Sequence, residues 1–119
     1  MDILSVSKLT GVSPSMLRYY ERIGFIPSIR RNNQGGRMYT KKDIEWINFI
    51  QCMRQAGLNT EALIDYTSLC KEGDQTLLGR IEILQEEKEK LELKCDNIKK
   101  TVDDLNKRIA QYKKNWDNQ

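Results

Sequence analysis

The segment SPSMLRYYERIG, residues 13–24, carries two arginines and two adjacent tyrosines in about three helical turns. Residues spaced by three or four positions share one face of a helix. One face of this segment presents hydroxyl and guanidinium groups, on Ser15, Arg18, Tyr19 and Arg22. Arginine contacts phosphates and guanine edges, so this face is a candidate surface for docking in the major groove of DNA. A solvated face on a structural helix pair is the alternative.

The other face of the same segment is apolar and is predicted to pack inward. It consists of Met16, Leu17, Tyr20 and Ile23. The paired tyrosines therefore differ in role, since Tyr20 is expected to pack in the core whereas Tyr19 presents its hydroxyl outward.

Three cysteines, Cys52, Cys70 and Cys95, are the other side chains that could do chemistry. They are widely spaced, contain no C-x-x-C pair and occur in a chain without histidine, so a disulfide framework and a His-containing zinc site are poorly supported. A thiol can also react covalently, because its thiolate adds to electrophiles and oxidises reversibly. Free cysteine is also a common small core residue. Packing is favoured for Cys95, which falls on a helical seam, and Cys70 stays unassigned.

The positive charge of the chain is concentrated in its first half. Residues 1–57 contain nine Lys and Arg against four Asp and Glu, a net +5, whereas residues 58–119 contain eleven against thirteen, a net −2. The asymmetry favours a polyanion partner for the first half, although a solvated basic surface would have the same composition.

Start and stop signals divide the beginning of the chain into two short helices. Ser5 is expected to cap a helix that ends near Thr10. Ser13 followed by Pro14 marks a second helix start, and Gly24 ends that helix. Two short helices joined by a glycine-containing turn predict a helix-turn-helix.

The next segment, SIRRNNQGGRMY at residues 28–39, places Asn and Gly between two short pieces suited to strands. This pattern predicts a β-hairpin wing that carries positive charge on Arg30, Arg31 and Arg37. Thr40 and Asp43 then have the spacing of a capping box, which predicts a core helix at residues 41–56, followed by a shorter helix at 60–71.

From residue 76 onward, apolar residues recur at alternating steps of four and three, which predicts a coiled-coil helix. The seam residues expected to form a dimer interface are Leu77, Ile81, Leu84, Leu91, Ile98, Val102, Leu105 and Ile109, with Lys88 as an interruption. The chain has no second helix of similar length to cover this stripe, so a homodimer is expected. The alternative is a helix folded back on its own domain, but a helix of about forty residues spans about 60 Å and would overhang a small domain. The predicted organisation is a DNA-binding domain with core helices at residues 1–73 and a dimerisation helix at residues 74–119.

The run SVSKLTGVSPSMLRYYERIGFIPSIRRNNQGGRMYTKKDIEWINFI, residues 5–50, resembles the DNA-binding domain of MerR-family transcriptional regulators. The resemblance implies a mainly α fold, in which a winged helix-turn-helix precedes a long helix that pairs as an antiparallel coiled coil. It also implies a homodimer that binds a pseudo-palindromic promoter and distorts an overlong spacer, so that RNA polymerase engages both promoter elements. By position, Arg18 and Tyr19 would contact DNA from the recognition helix, and Arg37 and Tyr39 would contact the DNA backbone from the wing.

The segment FIQCMRQAGLNTEALIDY, residues 49–66, resembles the NmlR/AdhR-like subgroup, which responds to aldehydes, nitric oxide or other thiol-reactive species. The resemblance implies that Cys52 is the sensor thiol; a buried core cysteine is the alternative. Drug-binding members add a large domain after the coil, whereas this sequence ends at KKNWDNQ, so no drug pocket and no cofactor are expected. Metal-sensing members place cysteines near both ends of the long helix, and metal sensing would here require Cys70 and Cys95 to converge between subunits. A regulator without an effector is the remaining alternative.

Other functional classes have less support. The absence of histidine and of a phosphate-binding glycine motif leaves little catalytic equipment, so no enzyme activity is expected. No segment approaches the roughly 18 apolar residues of a membrane span, and no signal peptide is evident, so a cytoplasmic protein without a membrane partner is expected. A coiled-coil adaptor would explain residues 76–116 but not the basic first half.

Overall fold

The computed structural model describes residues 1–119 and is mainly α-helical. In chain order its elements are α1 (Ile3–Thr10), α2 (Pro14–Ile23), β1 (Arg30–Arg31), β2 (Arg37–Met38), α3 (Lys41–Gln55), α4 (Thr60–Glu72) and α5 (Leu77–Asp117), with a turn of 3-10 helix at Asp74–Thr76. The predicted winged helix-turn-helix followed by a long helix is confirmed. None of the helices is both long enough and apolar enough to cross a membrane.

Local capping signals fix the ends of the helices that position the candidate DNA-binding surface. Ser13 caps α2 by accepting a backbone N–H of its first turn, and Gly24 ends α2 in the left-handed conformation with a φ of 89°. The capping box of α3 is also present. Thr40 Oγ1 accepts the N–H of Asp43 at 3.2 Å, and the Asp43 carboxylate accepts the N–H of Thr40 at 2.8 Å.

The first helix starts earlier than predicted. The Asp2 carboxylate accepts the N–H of Ser5 at 2.8 Å, so Asp2 is the N-cap and Ser5 already lies in the first turn of α1. The prediction that Ser5 caps this helix was therefore wrong, because an acceptor three residues upstream already satisfies its backbone N–H.

The two strands form an antiparallel hairpin in which Arg30 is paired with Met38 and Arg31 with Arg37. The Asn32 side chain stabilises the connecting turn, because its Oδ1 accepts the N–H groups of Gln34 and Gly36, each at 2.9 Å. The predicted wing is thus present as a short ribbon.

A single apolar core holds the first four helices and the hairpin together. Its buried members are Val6, Val12, Leu17, Tyr20, Phe25, Ile26, Ile29, Tyr39, Ile47, Ile50 and Leu63. Because the buried side chains of α2 and the residues that bracket the wing belong to this one core, the positions of α2 and the wing are fixed by the same packing.

The chain divides into two compact units, Met1–Glu87 and Lys88–Gln119. The first unit extends beyond the boundary predicted after residue 73 and includes α5 as far as Glu87, which bonds to the start of α4. Glu87 is 4% exposed, and its carboxylate accepts the N–H of Asn59, the N-cap of α4, at 2.9 Å. The division into two functional domains at residue 73 stays a prediction.

Candidate nucleic-acid interface

Helix α2 presents its predicted polar face to solvent. Ser15, Arg18 and Arg22 are exposed, while Leu17 and Tyr20 on the opposite face are buried. The helix is therefore amphipathic in the orientation that the residue spacing predicts, with its basic side available to a ligand.

Tyr19 is half-buried and packs as well as facing outward. Its ring meets the ring of Phe25 edge-on, with centroids 6.5 Å apart, and the guanidinium of Arg22 lies 5.5 Å from the Tyr19 centroid. Tyr19 thus supports Arg22 through a cation–π contact in addition to carrying a hydroxyl group.

Tyr20 packs in the core as predicted, and its hydroxyl has a partner that the sequence did not reveal. Arg54 Nη1 donates to this hydroxyl at 3.3 Å, and the Arg54 guanidinium lies 5.5 Å from the ring centroid of Tyr20 and 5.3 Å from that of Phe25. The last turn of α3 is therefore attached directly to α2.

The wing contributes a pair of arginines on one face. Arg31 and Arg37 are directly opposite each other on the two strands, an arrangement that costs free energy for like charges. Each guanidinium has a partner, because Arg31 Nη1 donates to the Gly35 carbonyl at 3.0 Å and Arg37 Nε donates to Glu21 Oε1 at 2.7 Å. These contacts offset part of the repulsion and leave the face strongly positive.

An open depression lies between α2 and the wing and is hereafter called the basic pocket. Its lining residues are Arg18, Glu21, Arg22, Ser28, Arg31 and Arg37. Four guanidinium groups and one carboxylate give this lining a net charge of +3 at neutral pH. Such a concentration of guanidinium donors suits phosphate binding.

The basic pocket brings four of the predicted DNA-binding residues together: Arg18, Arg22, Arg31 and Arg37. Ser15 lies at the start of α2 and is not part of its lining. Sequence reasoning missed Glu21 and Ser28. Glu21 could have been found, because it follows Arg18 by three positions and so shares its face, whereas Ser28 carries no such signal.

Glu21 is the acidic member of the basic pocket and bonds in two directions. In addition to the Arg37 contact, its Oε2 accepts the N–H of Ile29 at 3.0 Å. Burial opposes its ionisation, but the hydrogen bonds from Arg37 and Ile29 and the charges of Arg37 and Arg31 outweigh burial, so the pKa of Glu21 is lowered. Glu21 is therefore a stable anion among the guanidinium groups.

Tyr39 has a different environment from the one expected of a residue that contacts the DNA backbone. Its side chain is 3% exposed, and its hydroxyl is buried without a hydrogen-bond partner. Burial raises the pKa of Tyr39, so the hydroxyl remains protonated. A contact between this hydroxyl and a phosphate would require a local shift, and the DNA-binding role of Tyr39 stays a prediction.

The three cysteines occupy distinct environments. Cys52 on α3 is exposed, in contrast to the buried position that a packing role within the chain would require. Cys70 is half-buried and lies close to Tyr66, and Cys95 is exposed on α5. No group of three or more His, Cys, Asp or Glu side chains in the chain is arranged to hold a metal ion.

The predicted seam of α5 is uncovered in the single chain. Leu91 is half-buried, and the other predicted dimerisation residues are between 39% and 64% exposed: Leu77, Ile81, Leu84, Ile98, Val102, Leu105 and Ile109. Tyr112 and Trp116 continue this apolar stripe and are more exposed still.

Comparison with known sequences gives two consistent findings. Residues 1–69 match the family model described as MerR HTH family regulatory protein. Over 91 residues the chain is 50% identical to the HTH-type transcriptional regulator AdhR of Bacillus subtilis (strain 168), an overlap that covers 76% of this chain and 65% of AdhR. The chain therefore spans slightly less than two thirds of AdhR.

Solved structures share the fold. A crystal structure of a MerR family transcriptional regulator from Listeria monocytogenes is similar with a TM-score of 0.92 and 43% identity, covering 94% of this chain and 85% of that one. A second similar structure is HiNmlR, a MerR family regulator lacking the sensor domain, bound to promoter DNA. It has a TM-score of 0.84 and covers 95% of this chain and 90% of that one, and at 24% identity its likeness concerns the fold alone.

Proposed function

This chain belongs to the MerR family of helix-turn-helix regulatory proteins, which are DNA-binding transcriptional regulators and not enzymes, and we propose that it acts as a homodimer on a pseudo-palindromic promoter. Two copies related by a two-fold axis would present two recognition helices to two half-sites. The observation that carries the proposal is the basic pocket, in which α2 and the wing direct guanidinium groups to one surface.

The chemistry of the basic pocket supports contacts with the DNA backbone. Arg37 retains its terminal nitrogens for a ligand while its Nε is bonded to Glu21, and Arg31 flanks it on the neighbouring strand. Arg18 and Arg22 project from α2 toward the same depression. Contacts from a helix and from a wing at once would fix the orientation of the protein on the duplex.

The uncovered stripe on α5 supports a homodimer. Large aliphatic side chains on one face of a 41-residue helix cost free energy when they remain in water. A second copy offers a matching stripe, and antiparallel pairing buries both stripes in a coiled coil. The bound dimer would then distort an overlong promoter spacer so that RNA polymerase engages both promoter elements. This activity would take place in the cytoplasm.

We further propose that Cys52 senses a thiol-reactive signal: an aldehyde, another electrophile or an oxidant. The similarity to AdhR and the exposure of Cys52 support this assignment. With an aldehyde, the sulfur would attack the carbonyl carbon to form a C–S bond, and the proton would end on the carbonyl oxygen to give a hemithioacetal. The addition needs no other reactant.

The position of Cys52 offers a route from the modified thiol to DNA. Arg54, two residues further along α3, bonds to the hydroxyl of Tyr20 and stacks on Phe25. A displacement of the last turn of α3 by an adduct would therefore act on the packed side of α2.

A salt titration of DNA binding tests the DNA-binding proposal. The probes are a duplex that the protein enriches from a random-sequence library and a scrambled duplex of the same composition. We expect the enriched duplex to bind more tightly, with log affinity falling linearly as log salt rises, because phosphate contacts release counterions. A coiled-coil adaptor would give no sequence-preferring complex, and that result would reject the proposal.

A further inference from the structure

We infer that Glu21 is a positioning residue of the DNA interface, which holds Arg37 and the base of the wing in register with the recognition helix. This inference rests on the proposed DNA-binding function and deepens it. It assigns a role to the one acidic side chain of the basic pocket.

The two oxygens of Glu21 bond to the two sides of the hairpin. Oε1 accepts from Arg37 Nε on β2 at 2.7 Å, and Oε2 accepts from the N–H of Ile29, immediately before β1, at 3.0 Å. One carboxylate on α2 therefore fixes both strands of the wing relative to the helix. The Glu21 and Arg37 side chains are only 14% and 19% exposed, so solvent competes weakly for the contact.

The geometry of the Arg37 contact leaves the outer part of its guanidinium for DNA. Binding at Nε occupies the edge nearest the side-chain stem, while Nη1 and Nη2 remain at the outer end of the planar group. Because the guanidinium is planar, one charge-assisted bond at Nε restricts the direction in which Nη1 and Nη2 point. Glu21 thereby orients a phosphate contact without touching the phosphate.

The negative charge of Glu21 allows a positioning role to be distinguished from a purely electrostatic one. A carboxylate within a phosphate-binding site repels the polyanion, so removing its charge should tighten all DNA binding if charge were its only effect. A positioning role predicts the opposite for the preferred sequence, since Arg37 and the wing would lose their fixed register. The same substitution thus has opposite expected effects under the two interpretations.

The test compares Glu21→Gln with the parent on the enriched duplex and the scrambled duplex, at several salt concentrations. We expect the variant to lose about tenfold in affinity for the enriched duplex and to keep or increase its affinity for the scrambled duplex. The slope of log affinity against log salt concentration should become shallower by the equivalent of about one phosphate contact. Equal or tighter binding to both duplexes would overturn the inference. Failure of the parent to prefer the enriched duplex would instead reject the DNA-binding proposal itself.

A matched control variant and a double variant test whether the effect is specific to Glu21 and acts through Arg37. Glu45→Gln makes the same change of charge on α3, where Glu45 borders a groove beside Trp46 and lies outside the basic pocket, and it should bind like the parent. In an Arg37→Ala background, adding Glu21→Gln should cause a smaller further loss for the enriched duplex than it causes in the parent, because only the bond from Ile29 remains to be weakened. A full additional tenfold loss there would contradict action through Arg37.

If Glu21→Gln does not fold, Arg37→Lys supplies the test. A lysine ammonium can pair with Glu21 and keeps the charge, but it has no planar fork to present a second nitrogen to phosphate. We expect about a tenfold loss of preference for the enriched duplex. Binding equal to that of the parent would overturn the inference.

Discussion

The indole N–H of Trp46 donates a hydrogen bond to the backbone carbonyl of Phe25 at 3.1 Å, which joins α3 to the turn that follows α2. The same carbonyl accepts a bond from Thr67 Oγ1 on α4 at 3.0 Å. Two helices of the core thus converge on one acceptor just after α2. The contact explains how core packing sets the position of the candidate DNA-binding surface.

Removing both donors to the Phe25 carbonyl should destabilise the fold more than the two single changes added together. Trp46→Phe or Thr67→Val alone should lower the free energy of unfolding by about 1 kcal/mol, because the Phe25 carbonyl still accepts a hydrogen bond from the other residue. The double variant leaves a buried carbonyl without a partner and should lose at least about 1 kcal/mol beyond the sum. Urea unfolding measures the difference. Thr101→Val, on the exposed side of α5, is the control, and strict additivity would contradict the prediction.

Arg18→Ala should weaken binding to the enriched duplex by about tenfold to a hundredfold while the dimer and the unfolding temperature are retained. The side chain of Arg18 is exposed and lines the basic pocket, so its loss removes a ligand contact without opening the core. Fluorescence anisotropy with a labelled duplex gives the affinity. Arg108→Ala removes the same charge from α5 and should bind nearly as the parent does. Unchanged affinity in Arg18→Ala would mean that this face of α2 is not the recognition surface.

Cys52→Ser and Cys52→Ala should retain DNA binding and lose the transcriptional response to aldehydes and oxidants. The physical reason is that neither side chain forms the sulfur adduct, while the exposed position tolerates a small replacement. A promoter fusion in cells and intact-protein mass after aldehyde treatment measure the two effects. Cys70→Ser and Cys95→Ser serve as controls and should respond normally. A Cys52 variant induced as strongly as the parent would remove this thiol from the mechanism.

Leu105→Glu should dissociate the proposed homodimer, raising its dissociation constant by about a hundredfold or more, because pairing would bury an unpaired carboxylate in each copy. Sedimentation equilibrium measures the change. Asn106→Glu places the same residue one position away, off the predicted seam, and should leave the dimer intact. Equal dissociation constants for the two variants would show that the stripe does not form the interface.

Acid should weaken the link between α2 and the wing through protonation of Glu21. The pKa of Glu21 lies below its usual value of 4.5, so the carboxylate stabilises the fold at pH values above about 4.5. This contribution is lost as pH falls further, through the lowered folded-state pKa. The difference in unfolding temperature between the parent and Glu21→Gln should therefore be constant near neutrality and shrink in strong acid. Thermal unfolding between about pH 7 and pH 2 measures it, and a difference independent of pH would contradict the assigned ionisation.

Local spacing in the sequence was enough to predict most of the secondary structure. Ser13 and the pair Thr40 and Asp43 mark helix starts because their side chains bond to backbone groups within three residues. The apolar repeat after residue 76 predicts the long helix for the same reason, since helical periodicity is a local property. Asp2 shows the limit even here, because Asp2 caps α1 and the predicted cap, Ser5, lies within the first turn.

The sequence by itself determined the basic face of α2 and the apolar seam of α5, which depend on residue types at short, regular spacing, and its resemblance over residues 5–50 indicated the family. Only the tertiary structure decided that Glu21 bonds to Arg37, sixteen positions away, and that Thr67 bonds to Phe25, forty-two positions away. It also decided that Cys52 is exposed within the chain and that the Tyr39 hydroxyl is buried. The physical reason is that such contacts and exposures depend on how separate elements pack against one another, and no local pattern encodes that packing.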